Sequence, residues 1–114
     1  MTIQELINTN KFELINQGKD LHQDLTEPFC CDLLSIAMGT APKGCAWCTV
    51  MANMNTLAVA SLTEAGCVIL CGSVNADENM KLKAHSEGIT LLRTDAPIFA
   101  TALWIHQQLS DHEA

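Results

Sequence analysis

Short apolar runs and segments of helical spacing alternate along most of the chain, and this pattern predicts an α/β fold. From Gly44 onward, each apolar run is followed by a short link and then by apolar residues at helical spacing. The run at 67–71 is continuously apolar, which is typical of a central strand covered on both faces. The predicted strands are 45–50, 67–71 and 89–92, and the predicted helices are 56–65, 75–88 and 97–109. Because such units fold as right-handed crossovers, we predict one three-layer domain, a mainly parallel sheet flanked by helices.

Residues that favour helix ends mark where the helices begin and stop. Thr2 and Glu5 form a capping box, which predicts a short first helix. Asp32 is the predicted cap of a second helix over 35–38, and Gly39 is its predicted end. The other predicted starts are Asn53 or Asn55, Asn75 with Glu78, and Asp95 with Pro97, and the other predicted ends are Gly66 and Gly88. The remaining elements are extended segments at 12–15 and 28–31 and a polar loop at 18–27.

Two of the predicted helices carry apolar patterns that place them in the fold. The helix at 56–65 is apolar nearly all round, which predicts that it is buried. The last helix has a single apolar stripe, which we expect to face the sheet. The stripe consists of Ile98, Ala102, Ile105 and Leu109.

Length, composition and charge narrow the class of protein. The chain has 114 residues, 48% of them apolar, which fits a single domain over 1–114 with its core at about 2–109 and a tail at 110–114. The net charge of -7, with only six Lys and Arg residues, argues against nucleic acids and anionic membranes as partners. The N-terminus has no signal-peptide pattern, and no stretch reaches the roughly 20 apolar residues of a membrane span. We therefore predict a cytoplasmic protein with reduced cysteines.

Polar residues follow the predicted parallel strands, and this predicts where a ligand would bind. Ligands of open parallel sheets bind beyond the carboxyl ends of the strands, where free amides at helix N-termini favour anions. The ligand would be a small anion or a nucleotide. The candidate ligand-binding residues are Asp32, Thr49, Asn53, Asn55, Gly72, Ser73 and Asp95, with Asn75 in the same region. For any single Asn or Asp, capping a helix is the simpler interpretation.

The cysteines suggest packing rather than chemistry. Cys45 and Cys48 form a CxxC, but in a strand two residues three apart face opposite sides of the sheet. Cys67 and Cys71 share a face, yet no second CxxC completes a zinc site. The adjacent pair at 30–31 is also interpreted as packed thiols, because a disulfide between neighbours is strained. We predict buried, inert thiols and no bound metal, with a metal or thiol-redox role as the lesser alternative.

The motifs of several enzyme classes are missing from the sequence. There is no phosphate-binding G-x-x-x-x-G-K-[ST] loop, no G-x-G-x-x-G, and no ordered set of a nucleophile with a base. We therefore predict a protein that is not an enzyme and uses no cofactor. The methionines and tryptophans are numerous for a small acidic surface, which favours a homodimer or another partner. They include Met38, Met51, Met54, Met80, Trp47 and Trp104.

The sequence in the middle of the chain resembles that of a known family. Its residues are Cys31-Asp32-Leu33-Leu34-Ser35, Met38-Gly39, Ala46-Trp47, Thr49-Val50, Asn55 and Leu57-Ala58-Val59-Ala60-Ser61-Leu62. Together they resemble the DRTGG domain over roughly residues 1–109, and the stand-alone small members most. The resemblance implies the fold of the N-terminal domain of HPr kinase/phosphorylase and a regulatory or ligand-sensing role. It also implies relatives fused to CBS domains, to phosphotransacetylase and to HPr kinase, and an association of stand-alone members with iron-only hydrogenase.

The segment that gives this family its name differs here. Where the family has Asp-Arg-x-x-Thr-Gly-Gly, residues 22–28 read His-Gln-Asp-Leu-Thr-Glu-Pro, and only Thr26 is retained. Replacement of Gly-Gly by Glu-Pro removes a backbone donor and restricts φ.

Three hypotheses about function follow. The first is a non-catalytic regulatory or ligand-sensing domain, which we expect to be a homodimer. The alternative is a docking or assembly protein for a redox-enzyme complex, which predicts an exposed apolar patch centred on Met and Trp. A metal or thiol-redox protein comes third.

Overall fold

Ten helices and strands follow one another along residues 1–113, the part of the chain that the computed structural model describes. The first half contains α1 (Ile3–Asn8), β1 (Glu13–Asn16), β2 (Pro28–Cys30), α2 (Leu34–Thr40) and β3 (Ala46–Thr49). The second half contains α3 (Met54–Thr63), β4 (Cys67–Leu70), α4 (Glu78–Glu87), β5 (Thr90–Arg93) and α5 (Ile98–Glu113). Every predicted strand is present within one or two residues, and 18–27 forms no helix or named strand, as predicted.

The strands form one twisted sheet in the order β1-β5-β4-β3-β2. The pairs β2–β3, β3–β4 and β4–β5 are parallel, and β1 runs antiparallel along the edge of β5. All four residues of β3 and of β4 are buried, as the continuous apolar runs predict. Because four strands run side by side, their carboxyl ends meet at one rim of the sheet and their amino ends at the other.

Helices cover both faces of the sheet, which confirms the three-layer α/β prediction. Alternate strand residues face opposite layers, so Val68 packs with α2, α3 and α4, whereas its neighbour Ile69 packs with α1 and α5. The predicted stripe of α5 lies in the second layer, with Ile105 and Leu109 buried. None of the helices in residues 1–113 combines the length and the hydropathy needed to cross a bilayer.

Several of the predicted helix ends are confirmed. The amide of Glu5 donates to Thr2 Oγ1 (3.1 Å) and the amide of Thr2 donates to Glu5 Oε1 (3.0 Å), which completes the capping box of α1. Asn53 caps α3 through its side-chain oxygen. Gly88 ends α4 in the left-handed region, with φ of 68°, where glycine has no steric cost.

The predicted ends of α2 are wrong at both sides. Leu33, not Asp32, occupies the cap position, and no side chain caps the helix. Gly39 lies inside α2, which continues to Thr40. The helix stops at Ala41, whose ψ of 120° is extended. Ala41 precedes Pro42, and the proline ring excludes the helical conformation from the residue before it.

Three further boundary predictions are corrected. Asp77 rather than Asn75 caps α4, because its carboxylate accepts the Met80 amide at 2.8 Å. Glu64, in the left-handed region with φ of 59°, ends α3 before Gly66 is reached. Asp95 does not cap α5, whose first hydrogen bond runs from the Thr101 amide to the Pro97 carbonyl at 3.1 Å.

The prediction that α3 is buried all round is also wrong. The helix buries one side, through Thr56, Leu57, Val59 and Ala60. On the other side Leu62 is 71% exposed. The prediction failed because a helix without charged residues gives no sequence signal for which of its sides faces solvent.

Candidate functional site

The carboxyl ends of β2–β5 and the loops that follow them form the carboxyl rim, which consists of residues 31–33, 49–55, 71–77 and 93–97. The first half of this rim joins β2 to β3. Thr49 Oγ1 donates to Asp32 Oδ1 at 2.6 Å, and the Val50 amide donates to the same oxygen at 3.0 Å. Thr49 is fully buried while Asp32 is exposed. Asp32 therefore satisfies a buried hydroxyl instead of capping α2.

The start of α3 lies beside this pair, and its first amides already have partners. Asn53 Oδ1 accepts the amides of Asn55 (2.9 Å) and Thr56 (3.3 Å). The hydroxyl of Thr56 donates to the Met51 carbonyl at 2.9 Å. Asn55 is exposed in the first helical turn. An anion at this end would meet the helix dipole but would have to displace the Asn53 side chain to reach these two amides.

The second half of the rim follows β4 and β5. The chain turns through two left-handed residues, Gly72 with φ of 72° and Ser73 with φ of 69°. This turn aims Ser73 Oγ at Asp95 Oδ1, to which it donates at 2.9 Å. A Cβ added at Gly72 would lie 3.6 Å from Val50 Cγ1, so the two halves of the rim touch. The structure thus groups Asp32 with Thr49 and Ser73 with Asp95.

Arg93 is the rim residue that the sequence reasoning missed. Its Nη2 lies 3.1 Å from Asp95 Oδ1, and its Nη1 lies 3.5 Å from Glu13 Oε2. Its Nε donates to the Val74 carbonyl at 2.9 Å, and Nη2 also donates to the Ser73 carbonyl at 3.1 Å. The predicted strand stopped one residue short of it. The available signal was that this is the single arginine of the chain and directly precedes Thr94-Asp95.

A small cavity lies at the opposite end of the sheet, the amino rim, which consists of residues 17–24, 43–45, 61–67 and 87–90. Its volume is about 160 Å³, and its lining includes Asp20, Glu64 and Glu87. Glu87 accepts hydrogen bonds from Lys83 and Ser61, which lower the pKa of its carboxyl group. Sites for drug-sized ligands usually span about 300–1,000 Å³, so this space suits solvent or a very small ligand. Nothing in the sequence patterns pointed to this end.

The cysteines of the CxxC lie on opposite faces of the sheet, as predicted. Cys45 belongs to the layer of α2–α4 and Cys48 to the layer of α1 and α5. Burial raises the pKa of the Cys45 thiol to about 12 and also raises that of Cys67, so both thiols stay protonated at neutral pH. Over the described residues, no group of three or more His, Cys, Asp or Glu side chains has the arrangement of a metal site.

An apolar surface extends over α2 and the start of α3, and we call it the α2 surface. Its exposed side chains are Leu33, Ile36, Met38, Val50 and Met54. Methionines lie in it as the docking hypothesis predicts, but the tryptophans do not. Trp47 is fully buried and donates its Nε1–H to the Cys31 carbonyl at 2.9 Å. Trp104 packs edge-on against Phe12. Both tryptophan rings pack against other residues of the domain, so neither contributes to the α2 surface.

A comparison with solved structures finds a protein region of similar fold. No family model and no curated protein matches the sequence. Among solved structures, the chain is similar to the CBS and DRTGG domains of the regulatory region of Clostridium perfringens pyrophosphatase, which was crystallised with the activator diadenosine tetraphosphate. The TM-score is 0.70 at 12% sequence identity, over 87% of this chain and 43% of that one. The chain thus has a fold found in that regulatory region and spans less than half of its length.

Proposed function

We propose that this chain is a non-catalytic regulatory domain of the DRTGG type that senses a small anionic ligand or a nucleotide. The observation that carries the proposal is the shared fold with a regulatory region whose activator is a nucleotide. A cytoplasmic location and an association with iron-only hydrogenase systems extend the proposal, on the strength of the family resemblance alone.

Within this proposal, Arg93 is the group that receives the anion. It is largely shielded, with 18% of its side chain exposed, and its Nε is fixed by the Val74 carbonyl. The two carboxylates that face its terminal nitrogens belong to side chains that are mostly exposed, those of Asp95 and Glu13. Ion pairs with exposed partners contribute little free energy, so a phosphate can replace these carboxylates at small cost. The planar guanidinium then offers a fork that matches phosphate oxygens.

Neighbouring rim residues complete the proposed binding site. Once Asp95 turns away, the Ser73 hydroxyl is released on the same side as the guanidinium, because both groups now contact the same carboxylate oxygen. Gly72 leaves the approach open, since it carries no side chain and is exposed. Asp95 therefore acts as an internal competitor for the ligand.

Calorimetric titration of the whole chain with diadenosine tetraphosphate, ATP, AMP and inorganic phosphate tests this proposal. We expect at least one of these compounds to bind. At a ligand concentration of 100 times Kd, binding should raise the free energy of unfolding by about 2.7 kcal/mol. Asp95→Asn should tighten binding because it removes the competing charge, whereas Arg93→Met should abolish it. Glu87→Gln, at the opposite rim, is the matched control and should leave affinity unchanged.

Two results would contradict the proposal. One is the absence of binding at millimolar concentrations in both the unchanged chain and Asp95→Asn. The other is release of phosphate or another product from a bound nucleotide, which would make the chain an enzyme. Because Arg93 also joins β5 to the loop after β4, its variant must first show an unchanged circular dichroism spectrum.

A second function, docking through the α2 surface, is favoured by the distribution of charge. Between Leu33 and Thr63 the chain has one charged residue, Lys43, although its net charge is -7. Two copies of an acidic chain repel each other least where neither carries charge, and interface cores are depleted of charged residues. We propose that the α2 surface joins two copies of this chain; a redox-enzyme partner is the alternative occupant.

Sedimentation velocity distinguishes these occupants. If the α2 surface joins two copies, the chain sediments as a dimer and Ile36→Glu makes it monomeric, because the new carboxylate is buried without a partner. Leu82→Glu is the matched control, since Leu82 is equally apolar and exposed but lies on α4. A chain that is monomeric at about 100 μM would contradict the homodimer.

A further inference from the structure

Three thiols on neighbouring strands form a row that the sequence does not reveal. Cys30 of β2 is the direct partner of Cys48 of β3 in the parallel register, so the two side chains lie on the same face of the sheet. Cys71, which follows β4, packs in the same core layer as Cys48. We call Cys30, Cys48 and Cys71 the thiol row. The CxxC motif suggested a pairing of Cys48 with Cys45, whereas the fold places Cys48 next to Cys30.

The geometry of the first pair fits a disulfide. Directly paired residues on adjacent strands have Cα atoms about 4.8 Å apart, which lies within the range of about 4.4–6.8 Å found in disulfides. The pair that precedes them in register, Phe29 with Trp47, keeps the two strands aligned. Because β2 is a three-residue edge strand, it has hydrogen-bonded neighbours on one side and can adjust.

Access to solvent differs along the thiol row. Cys30 is exposed, Cys48 is fully buried and Cys71 is buried. A soluble reagent therefore meets Cys30 first and reaches Cys48 only through it. Cys31, the adjacent residue, packs with the opposite layer and its thiol donates to the Leu33 carbonyl at 3.3 Å. Cys30 is therefore the thiol of this row that a soluble reagent can reach directly.

We propose that Cys30 and Cys48 are a thiol-modification site, at which a small soluble disulfide such as oxidised glutathione forms an intramolecular disulfide between them. The thiolate of Cys30 attacks one sulfur of the reagent, the reagent's S–S bond breaks, and one glutathione leaves as a thiolate that takes a proton from water. Cys48 then attacks the Cys30 sulfur of the mixed disulfide, the bond from Cys30 to glutathione breaks, and the second glutathione leaves as a thiolate that takes up the proton lost by Cys48. Two protein thiols lose two electrons in total, and one reagent disulfide gains them to become two thiols.

The expected modification is slow and reaches the carboxyl rim. Although Cys30 is exposed, partial burial of its thiol raises its pKa, so the reactive thiolate is a minor species at neutral pH. The new bond would join β2 and β3 just before Asp32 and Thr49, the pair that forms the first half of the carboxyl rim. Oxidation would therefore tie together the two strand ends that support this rim.

Reaction of the whole chain with millimolar oxidised glutathione at about pH 8, followed by thiol counting and non-reducing peptide mapping, tests the proposal. We expect the loss of two of the six thiols and a linked peptide pair containing Cys30 and Cys48. In the Cys30→Ser variant all remaining thiols should stay reduced. The matched control, Cys31→Ser, should form the disulfide between Cys30 and Cys48 as the unchanged chain does. Cys48→Ala should stop at the mixed disulfide on Cys30.

A linkage between Cys30 and Cys31 or between Cys48 and Cys71, or six free thiols after prolonged reaction, would overturn the proposal. Mapping of the unchanged chain decides the question even if a variant at the buried position fails to fold.

Discussion

The two rims of the parallel sheet differ in how closely their loops pack, although backbone hydrogen bonds hold both. At the carboxyl rim, side chains bond to one another across the loops, as in the contacts of Asp32 with Thr49 and of Ser73 with Asp95. Backbone hydrogen bonds are present at both rims, from the Gly72 amide to the Ala96 carbonyl at the carboxyl rim and from the Gly66 amide to the Cys45 carbonyl at the amino rim, each at 2.8 Å. Side-chain contacts can be exchanged for a ligand, whereas backbone contacts cannot be exchanged without moving the chain.

Glycine makes the close approach at the amino rim possible. A Cβ at Gly66 would lie 2.9 Å from the Gly44 carbonyl oxygen, and a Cβ at Gly18 would lie 2.6 Å from the Gly88 carbonyl oxygen. Both distances are shorter than a carbon–oxygen contact allows. The amino rim is therefore the sterically fixed end of the domain, and the carboxyl rim is the end where polar groups can change partners.

Substitution of Gly18 by alanine should have the largest effect on stability. The added methyl group would meet the Gly88 carbonyl and the Thr90 amide, both at 2.6 Å, and neither backbone group can rotate away. We expect a loss of about 3 kcal/mol in the free energy of unfolding, at the upper end of the range for overpacked sites. Urea denaturation followed by circular dichroism measures it.

Gly39→Ala is the matched control for this prediction. Gly39 lies in α2 with open space around its Cα, so the added methyl group meets no neighbour. The replacement should stabilise the chain by about 0.5–1 kcal/mol, because alanine loses less backbone freedom in a helix. If both alanine variants changed stability by the same amount, the steric explanation for the effect at Gly18 would fail.

Loss of the Asp32 carboxylate should have the next largest effect. Asp32→Ala leaves the buried hydroxyl of Thr49 without its acceptor, which costs about 2 kcal/mol. The amide of Val50, the other donor to Asp32, lies in an exposed residue and can turn to water. A double-mutant cycle with Thr49→Val isolates the effect: in the valine background Asp32→Ala should cost clearly less. Equal costs in both backgrounds would show that the hydroxyl is not what Asp32 stabilises.

Local sequence signals were sufficient for much of the fold. The capping box of Thr2 and Glu5, the apolar run at 67–71 and the glycine at 88 act through neighbours within a few residues, so the pattern contains their effect. The parallel sheet and its two covering layers follow from the alternation of runs and helices. These are the features for which local preference and tertiary packing agree.

Partners that are distant in sequence explain what could not be predicted. Asp32 and Asp95 have the composition of helix caps, yet each is used by a residue from another strand or loop, Thr49 in one case and Ser73 in the other. Cys48 likewise acquires Cys30 as a neighbour through the strand register. Choosing between a cap and a long-range partner requires the register of the sheet, which the chain's local pattern does not contain.

The smallest effect should come from a side-chain contact at the amino rim, the carboxylate of Glu87. Hydrogen bonds from Lys83 and then from Ser61 lower its pKa below the ordinary value of 4.5. Its folded-state pKa is thus depressed, so its contribution to stability is present above the ordinary pKa and is lost as the pH falls through the lower value. The stability difference between the unchanged chain and Glu87→Gln should be small at about pH 7 and should shrink further at a pH well below 4.5. Urea denaturation at the two pH values measures this difference. If Glu87→Gln cost as much as Gly18→Ala at neutral pH, side chains and not backbone contacts would hold the amino rim together.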